Sequence, residues 1–251
     1  MVIKRKPFQG VFNIIRFNWH FYLFALIAIF ISILLKNLIP QPFQNLIVLG
    51  IIISTFSIAI SLIASYYIYD YSKLYQFNWL VEANYKKILN INAGFDETSA
   101  ILKSRYLNSD LTICDFYNPQ KHTEISIKRA RKAYPPDCHS FQVTTDNLPF
   151  PDDSFDYSFA ILSAHEIRDE KERINFFKEL NRATKTTGQI FVIEHLRDVN
   201  NFLAYTVGFL HFHSKSSWLQ TFEQADLIIK QEIKTTPFIT TFILEKNGNS
   251  F

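Results

Sequence analysis

A chain of 251 residues that is 48% hydrophobic, 16% aromatic and 20% charged, with a formal net charge of +3, is too apolar for disorder and too charged to lie wholly within a membrane. Its basic residues are spread along the sequence, which excludes a nucleic-acid footprint as the expected partner surface. Cys114 and Cys138 have no metal-type spacing and are expected as free thiols.

The apolar excess comes first in chain order. From Phe17 to Leu35 the only residue of a charge-bearing type is His20, and from Asn37 to Tyr69 there is none. Each stretch exceeds the roughly 18–20 apolar residues that cross a hydrocarbon core of about 30 Å. Pro40 and Pro42 break the chain between them, so residues 1–69 are expected to form a transmembrane hairpin with helices at about 17–39 and 45–69. Gly50, Ser54, Ser57, Ser61 and Ser65 make a small-residue stripe, and Ala25, Ala28 and Ser32 make another, which suits close approach of two membrane helices. Phe17, Trp19 and Tyr22, with Tyr66, Tyr67, Tyr69 and Tyr71, read as aromatic belts at one interface. "KNLIPQPFQ" offers no small-residue cleavage site of the signal-peptide kind. Lys4, Arg5, Lys6 and Arg16 precede the first helix and Lys36 alone marks the connection, so the positive-inside tendency puts both termini and everything from about residue 70 in the cytoplasm.

Residues 70–85 read as a linker helix, with Leu74, Phe77 and Leu80 or Val81 on one face along the membrane surface. Residues 86–251 are enough for one domain. Strand-like and helix-like runs alternate through it: strands at 86–92, 111–116, 139–145, 155–164 and 188–195, helices at 97–107, 123–134 and 169–184. The run at 155–164 is almost continuously apolar, as strands of a parallel sheet are. A less regular segment (197–225) leads to two strands, 226–234 and 238–246, joined at Pro237 as an antiparallel hairpin. The fold class is therefore α/β, a doubly wound Rossmann-like sheet with right-handed crossovers and a C-terminal antiparallel hairpin, preceded by two transmembrane helices.

Open α/β sheets bind ligands beyond the carboxyl ends of their strands. Those ends carry Asn90, Asn92 and Gly94, then Asp115, then Asp146 and Asn147, then Ser163, His165 and Glu166, and finally Glu194 and His195. "LPFPDDSFD" (148–156), "DYSFAILSAHEI" and "FFKELNRATKTTGQIFVIEH" resemble the class I S-adenosylmethionine-dependent methyltransferases, most similarly the group that includes ubiquinone and menaquinone biosynthesis methyltransferases. The resemblance covers about residues 86–195 and not the hairpin.

It implies S-adenosyl-L-methionine as cofactor and a set of contacts. Asp115 would take both ribose hydroxyls, Asp146 the adenine amino group with Asn147 and Leu148 beside it, and Gly94 the close backbone approach, with Ser163 at the same edge. Asn90 stands where the family has an acid for the methionine amino group, and Asn92 and Asp96 replace two of its glycines. Asn92 tolerates a left-handed turn, and Asp96 is also readable as an N-cap. Beyond the cofactor, His165 and Glu166 are the catalytic candidates, as a base for a phenol or enol and its orienting group. The alternative for them is helix capping or pairing with Arg168. His195, Arg197 and His211 are candidate substrate contacts on the aromatic segment 194–218, whose helical spacing gives one oily face suited to a lipophilic acceptor or the bilayer. Arg197 and Asp198 are as readable as a structural ion pair. His211-x-His213 lacks a matched third ligand, and no metal is expected. "KRARK" (128–132) is expected to be a solvated or headgroup-facing surface.

The function expected is a membrane-tethered methyltransferase for a small lipophilic acceptor (quinone precursor, lipid or pigment intermediate), its partners being the bilayer and that acceptor. The alternative is a catalytically inactive methyltransferase-like scaffold, for which the altered loop at 90–96 speaks. A nicotinamide reductase would need a Gly-x-Gly-x-x-Gly loop that the chain lacks.

Overall fold

The computed structural model describes residues 5–72, 74–77, 80 and 85–248. Two long helices, α1 (Gln9–Leu35) and α2 (Gln41–Tyr66), pack against each other and precede the sheet. Both are long and apolar enough to cross a membrane, and their large side chains, Phe24, Phe30, Phe56 and Ile63 among them, are exposed. The helix α1 starts earlier than its apolar stretch. The reason is Asp70, whose carboxylate accepts from the backbone N–H groups of Gly10 (2.7 Å) and Val11 (2.8 Å), satisfying free amides at the positive helix end. Pro42 sits in the first turn of α2, where its missing N–H costs nothing.

The small-residue stripe is half-buried at Ser57 and Ser61, and its tight end is not at Gly50. Gly50 faces open space, and of the stripe only Ser65, at the foot of α2, is buried. The close approach is made by Gly10 instead. A Cβ there would lie 2.3 Å from Cβ of Tyr69, so glycine is what lets α1 meet the π-helical turn Tyr67–Tyr71 that ends α2.

The sheet has seven strands: β1 (Lys87–Asn92), β2 (Asp110–Asp115), β3 (Phe141–Gln142), β4 (Phe155–Ile161), β5 (Thr184–His195), β6 (Leu227–Thr236) and β7 (Ile239–Lys246). Their order is β3-β2-β1-β4-β5-β7-β6. The first five are parallel, and β7 runs antiparallel between β5 and β6. The helices that join or flank them are α3 (Ser99–Arg105), α4 (Ile125–Ala133), α5 (Glu170–Ala183), α6 (Val199–Tyr205) and α7 (Lys215–Gln224). Asp169 caps α5 by accepting from the N–H of Glu172 (2.8 Å).

Side chains alternate across the pleat, giving two cores. On one face Leu89, Ile91, Phe176, Phe177, Leu180, Trp218 and Phe222 pack under α5 and α7. On the other, Ile88, Phe159, Phe191 and Ile193 are covered by Ile68, Leu74, Phe77 and Leu80 together with Leu102 of α3. The foot of the hairpin is thus part of the domain's own core.

Several expected elements differ. The described part of 70–85 holds no long helix, only the π turn and a 3-10 turn at Leu74–Gln76, and Leu74, Phe77 and Leu80 are buried on the sheet instead of lying on a membrane surface. Val81 falls outside the described residues. The third strand shrinks to two residues because the chain after it folds into a tight bridge between Thr144 and Asn147. The segment 199–218 is not one helix. It breaks at Thr206, whose φ is 49°, into α6, a 3-10 helix at Thr206–His211 and α7. Both cysteines are free, as expected, Cys114 buried and Cys138 exposed.

Candidate active site

Register puts Asn92 of β1 directly beside Asp115 of β2, at the carboxyl edge of the sheet. The loop after β1 is built by its own polar side chains. The Asn92 carboxamide oxygen accepts from the Gly94 N–H (2.9 Å), and its amide donates to the Cys114 carbonyl (3.0 Å). Gly94 has φ +92°, and a Cβ there would meet Tyr117 at 2.8 Å and Arg131 at 2.9 Å. Asp96 accepts from the N–H groups of Thr98 and Ser99 (2.9 Å each), so it is the cap of α3. The Asn90 amide donates to the hydroxyls of Thr98 (3.0 Å) and Ser99 (2.7 Å), which ties its side chain to the start of α3.

Asp115 is 2% exposed. One carboxylate oxygen accepts from the N–H of Tyr117 (2.8 Å) and the other is paired with Arg131, whose guanidinium lies 4.6 Å over the Tyr117 ring. A cleft of about 780 Å³ opens beside them, lined by Tyr117, His122, Arg131, Thr145 and Asp146 among others. Asp146 is exposed at its rim, its carboxyl lowered by the hydrogen bond from the Thr144 hydroxyl. Asn147 is exposed beside it, while the Leu148 N–H is taken by Glu179 (2.8 Å).

The foot of α1 lies over this loop. Glu97 is held by Arg5, Gln9, Asn13 and Tyr75, Phe17 packs edge-on against Phe95, and Arg129 donates to the Phe17 carbonyl (2.8 Å) and faces His20. Two arginines of "KRARK" therefore turn inward, against the expectation of a solvated face.

A second polar group lies beyond β4 and β5. His165 Nδ1 is 2.7 Å from Glu194 and its Nε2 is 3.3 Å from Glu166. Glu194 is fully buried and also accepts from the N–H groups of Ser163 and His165. Burial alone would lower His165, but the carboxylates of Glu194 and Glu166 outweigh it and push it up to about 10. Burial would raise Glu166, yet His165 and His211 hold it well below the usual carboxylate range. His165 is thus an imidazolium near neutral pH in this arrangement, not the free base that its position after β4 suggests. His211 reaches both Glu166 (3.5 Å) and Glu124 (3.1 Å), and Arg168 pairs with Glu124 (3.4 Å) and His211, not with Glu166.

The remaining candidates have partners within the fold. Ser163 donates to the Ile91 carbonyl (3.0 Å), tying β4 to β1. Arg197 donates to the carbonyls of Phe212 (2.8 Å) and Leu210 (2.7 Å), while Asp198 caps α6 and meets Lys234, so the two do not pair. His195 lies under Phe212, with Nδ1 2.9 Å from the Asn201 carboxamide oxygen and Nε2 2.8 Å from the Tyr69 hydroxyl. Asn201 spends its amide elsewhere, so the His195 Nδ1–H donates and Nε2 accepts from Tyr69. Burial agrees with this neutral form, lowering His195 to about 3.

Residues 89–204 match the family described as a methyltransferase domain. Around that match the chain has the Rossmann-like fold of the class I S-adenosylmethionine-dependent methyltransferases. Its fold is similar to that of a SAM-dependent methyltransferase from Aquifex aeolicus, at 14% identity and TM-score 0.52, over 70% of this chain and 93% of that one. SAM-dependent methyltransferases from Methanosarcina mazei (19%, TM-score 0.46, 67% and 95%) and Mesorhizobium loti (14%, 0.47, 69% and 97%) are more distantly alike. At these identities the likeness is one of fold. No curated protein sequence matches the chain.

S-adenosylmethionine is the cofactor that a methyltransferase fold of this kind implies, and the residues fit its adenosyl half. The carboxylate of Asp115, the backbone cradle at Gly94 that a Cβ would fill, and the adjoining cleft lie side by side. Arg131 is the group that stands on this carboxylate. Its side chain is 24% exposed, which leaves it a path to solvent. Neither Arg131 nor Tyr69 carries a sequence signal for this place, because each meets its partner only through the fold. Glu194 carries one: a carboxylate ending a run of buried apolar residues.

Proposed function

We propose that the protein is a membrane-tethered methyltransferase acting on a small lipophilic acceptor, of the quinone-precursor, lipid or pigment kind, at the cytoplasmic face of a bilayer. One observation carries this reading. The helix α6 packs on α2, and the segment that follows it runs to His211 in the second polar group. On the way, Val199, Leu203, Val207 and Leu210 are exposed. An apolar strip joining long apolar helices to a catalytic edge suits an acceptor that arrives from the membrane. Lys6 and Arg16 on the N-terminal side, against Lys36 in the connection, support a cytoplasmic domain with both termini on that side.

S-adenosylmethionine, when bound, supplies an activated methyl group on a sulfonium. The chain's part is to align and to exclude water. Asp115 would accept from the ribose hydroxyls once Arg131 swings away, since an ionised carboxylate accepts two hydrogen bonds at once. The Gly94 backbone and the Tyr117–Asp146 cleft would hold the rest of the adenosyl group. His165, Glu166 and His211 would face the acceptor, and the α1 foot over Phe95 and Glu97 would keep the loop dry.

The inactive-scaffold reading has one observation in its favour, the guanidinium of Arg131 on the ribose carboxylate. Calorimetry of detergent-solubilised protein with S-adenosylhomocysteine separates the two. Micromolar binding that is lost in Asp115→Ala supports the enzyme, and transfer of labelled methyl into a lipid extract identifies the acceptor class. No binding to folded wild type leaves the scaffold. Label that enters only water-soluble acceptors overturns the lipophilic assignment.

A further inference from the structure

The polar group beyond β4 and β5 contains a conflict around His211 and Arg168. Nδ1 of His211 faces Glu124 at 3.1 Å and also the guanidinium of Arg168. Nε2 of the same ring lies between Arg168 at 2.8 Å and Glu166 at 3.5 Å. A guanidinium only donates and a carboxylate only accepts, so neither nitrogen satisfies both neighbours with one proton or one lone pair. With Arg168 withdrawn, a metal cation on Nε2 satisfies the setting, because it draws a lone pair from imidazole and charge from Glu166 together while the Nδ1–H donates to Glu124.

His165 is already oriented as a ligand. Glu194, fully buried and pinned by two backbone amides, takes Nδ1 and so turns Nε2 toward Glu166. A carboxylate on the far nitrogen of a metal-binding histidine sets its tautomer and raises its basicity. His165, Glu166 and His211 each offer a ligand atom, all within 4.8 Å of one another. Metal bonds of about 2.0–2.2 Å at tetrahedral angles separate ligand atoms by roughly 3.3–3.5 Å. The Glu166 carboxylate stands 3.3 Å from His165 and 3.5 Å from His211.

We propose that His165, Glu166 and His211 bind a divalent transition metal of the zinc type, with Glu194 orienting His165, and that the open coordination position takes an oxygen of the methyl acceptor. Two imidazoles and one carboxylate select such an ion over the harder magnesium or calcium, and three protein ligands leave one position free. Arg168, with its side chain 41% exposed, withdraws to solvent as the ion enters. A hydroxyl or enol bound at the open position ionises there, its proton passing to solvent and its electron pair remaining on the oxygen held by the metal. The acceptor half of this proposal rests on the methyltransferase reading above, while the metal half does not. The chelate is not His211-x-His213. His213 turns instead to Arg173 (3.3 Å) and the Ile167 carbonyl (3.2 Å).

The test is cobalt(II) titration of chelator-treated, full-length protein in detergent, followed by visible absorption, with zinc as competitor. One equivalent with d–d bands of a nitrogen/oxygen site is expected, displaced by zinc. Affinity should drop at least tenfold in His211→Ala and in Glu166→Gln, and stay unchanged in His139→Ala, which removes the surface cluster Asp137–Cys138–His139. Near-ultraviolet circular dichroism of each variant checks its fold, and Glu194→Gln provides a milder loss of about 10–100-fold. Wild type without bands, or bands lost only in His139→Ala, overturns the site. Metal binding that persists where S-adenosylhomocysteine does not bind keeps the site and removes the methyl-transfer role.

Discussion

The guanidinium of Arg131 closes on the buried carboxylate of Asp115, against the backbone of Gly94 and over the ring of Tyr117. A ribose held by Asp115 would compete with this arginine for one anion. Removing the arginine leaves Asp115 with only the Tyr117 amide, which costs about 1.5–3 kcal/mol of folding stability, the worth of a hydrogen bond to a charged group. It also removes the competitor. Arg131→Ala is expected to melt lower than wild type and yet to bind S-adenosylhomocysteine several-fold more tightly by calorimetry. Equal or weaker binding would show that the guanidinium is no barrier to the ribose.

The hairpin foot makes a second expectation. Phe77 is fully buried against the sheet with Ile68 and Leu74, and a buried Phe→Ala change costs about 3–5 kcal/mol. Phe77→Ala should therefore destabilise the domain although the residue precedes every strand. A chain beginning at residue 86 would expose Ile88, Phe159 and Phe191 and should aggregate. A monomeric 86–251 fragment with native-like melting would refute this account of the core.

The alternation of strands and helices from residue 86 onward is legible in the sequence because buried parallel strands read as apolar runs and the helices between them are amphipathic, as at 169–184. The placement of Asp115, Gly94 and His165 at the strand ends is legible too, since it follows from where each apolar run stops. What is not legible depends on contacts between distant segments. Asn90 reads as a weakened cofactor contact, and nothing local shows that its amide is held by Thr98 and Ser99. His195 reads as a substrate contact but is occupied by Tyr69, which lies 126 positions earlier in the chain. The basic run 128–132 reads as surface because nothing local tells Arg131 from its neighbours. Helical spacing through 199–218 hides the break at Thr206, a backbone conformation that no periodicity predicts.

Gly94 gives a sharper test of the loop than its asparagines do. Its φ of +92° and the lack of space for a Cβ make Gly94→Ala strained twice over, at a cost of about 1–3 kcal/mol. The strain should be relieved by displacing Tyr117 and Arg131, the groups that line the adenosyl side. Gly94→Ala is expected to lower the melting temperature and to weaken S-adenosylhomocysteine binding together. Unchanged binding in a destabilised variant would mean that the cofactor does not approach this backbone.

The histidines set the pH dependence of stability, and they pull in opposite directions. His195 is lowered by burial to about 3, and His213 is likewise lowered to about 3 by burial and by Arg173 and Arg168. Both are neutral in the folded state, so their contribution is present above the unfolded value of about 6.5 and is lost as pH falls from there toward 3. His165 is the reverse. Its folded value of about 10 means that its contribution is complete below about 6.5 and is lost as pH rises toward 10. The depressed carboxyl of Glu166 adds to the acid side, losing its contribution below the ordinary carboxylate value. Melting temperature measured in chelator should therefore peak near neutrality and fall on both sides. His195→Gln should flatten the acid limb, and His165→Gln the alkaline one. An alkaline limb that survives His165→Gln would show that the imidazolium between Glu194 and Glu166 is not its source.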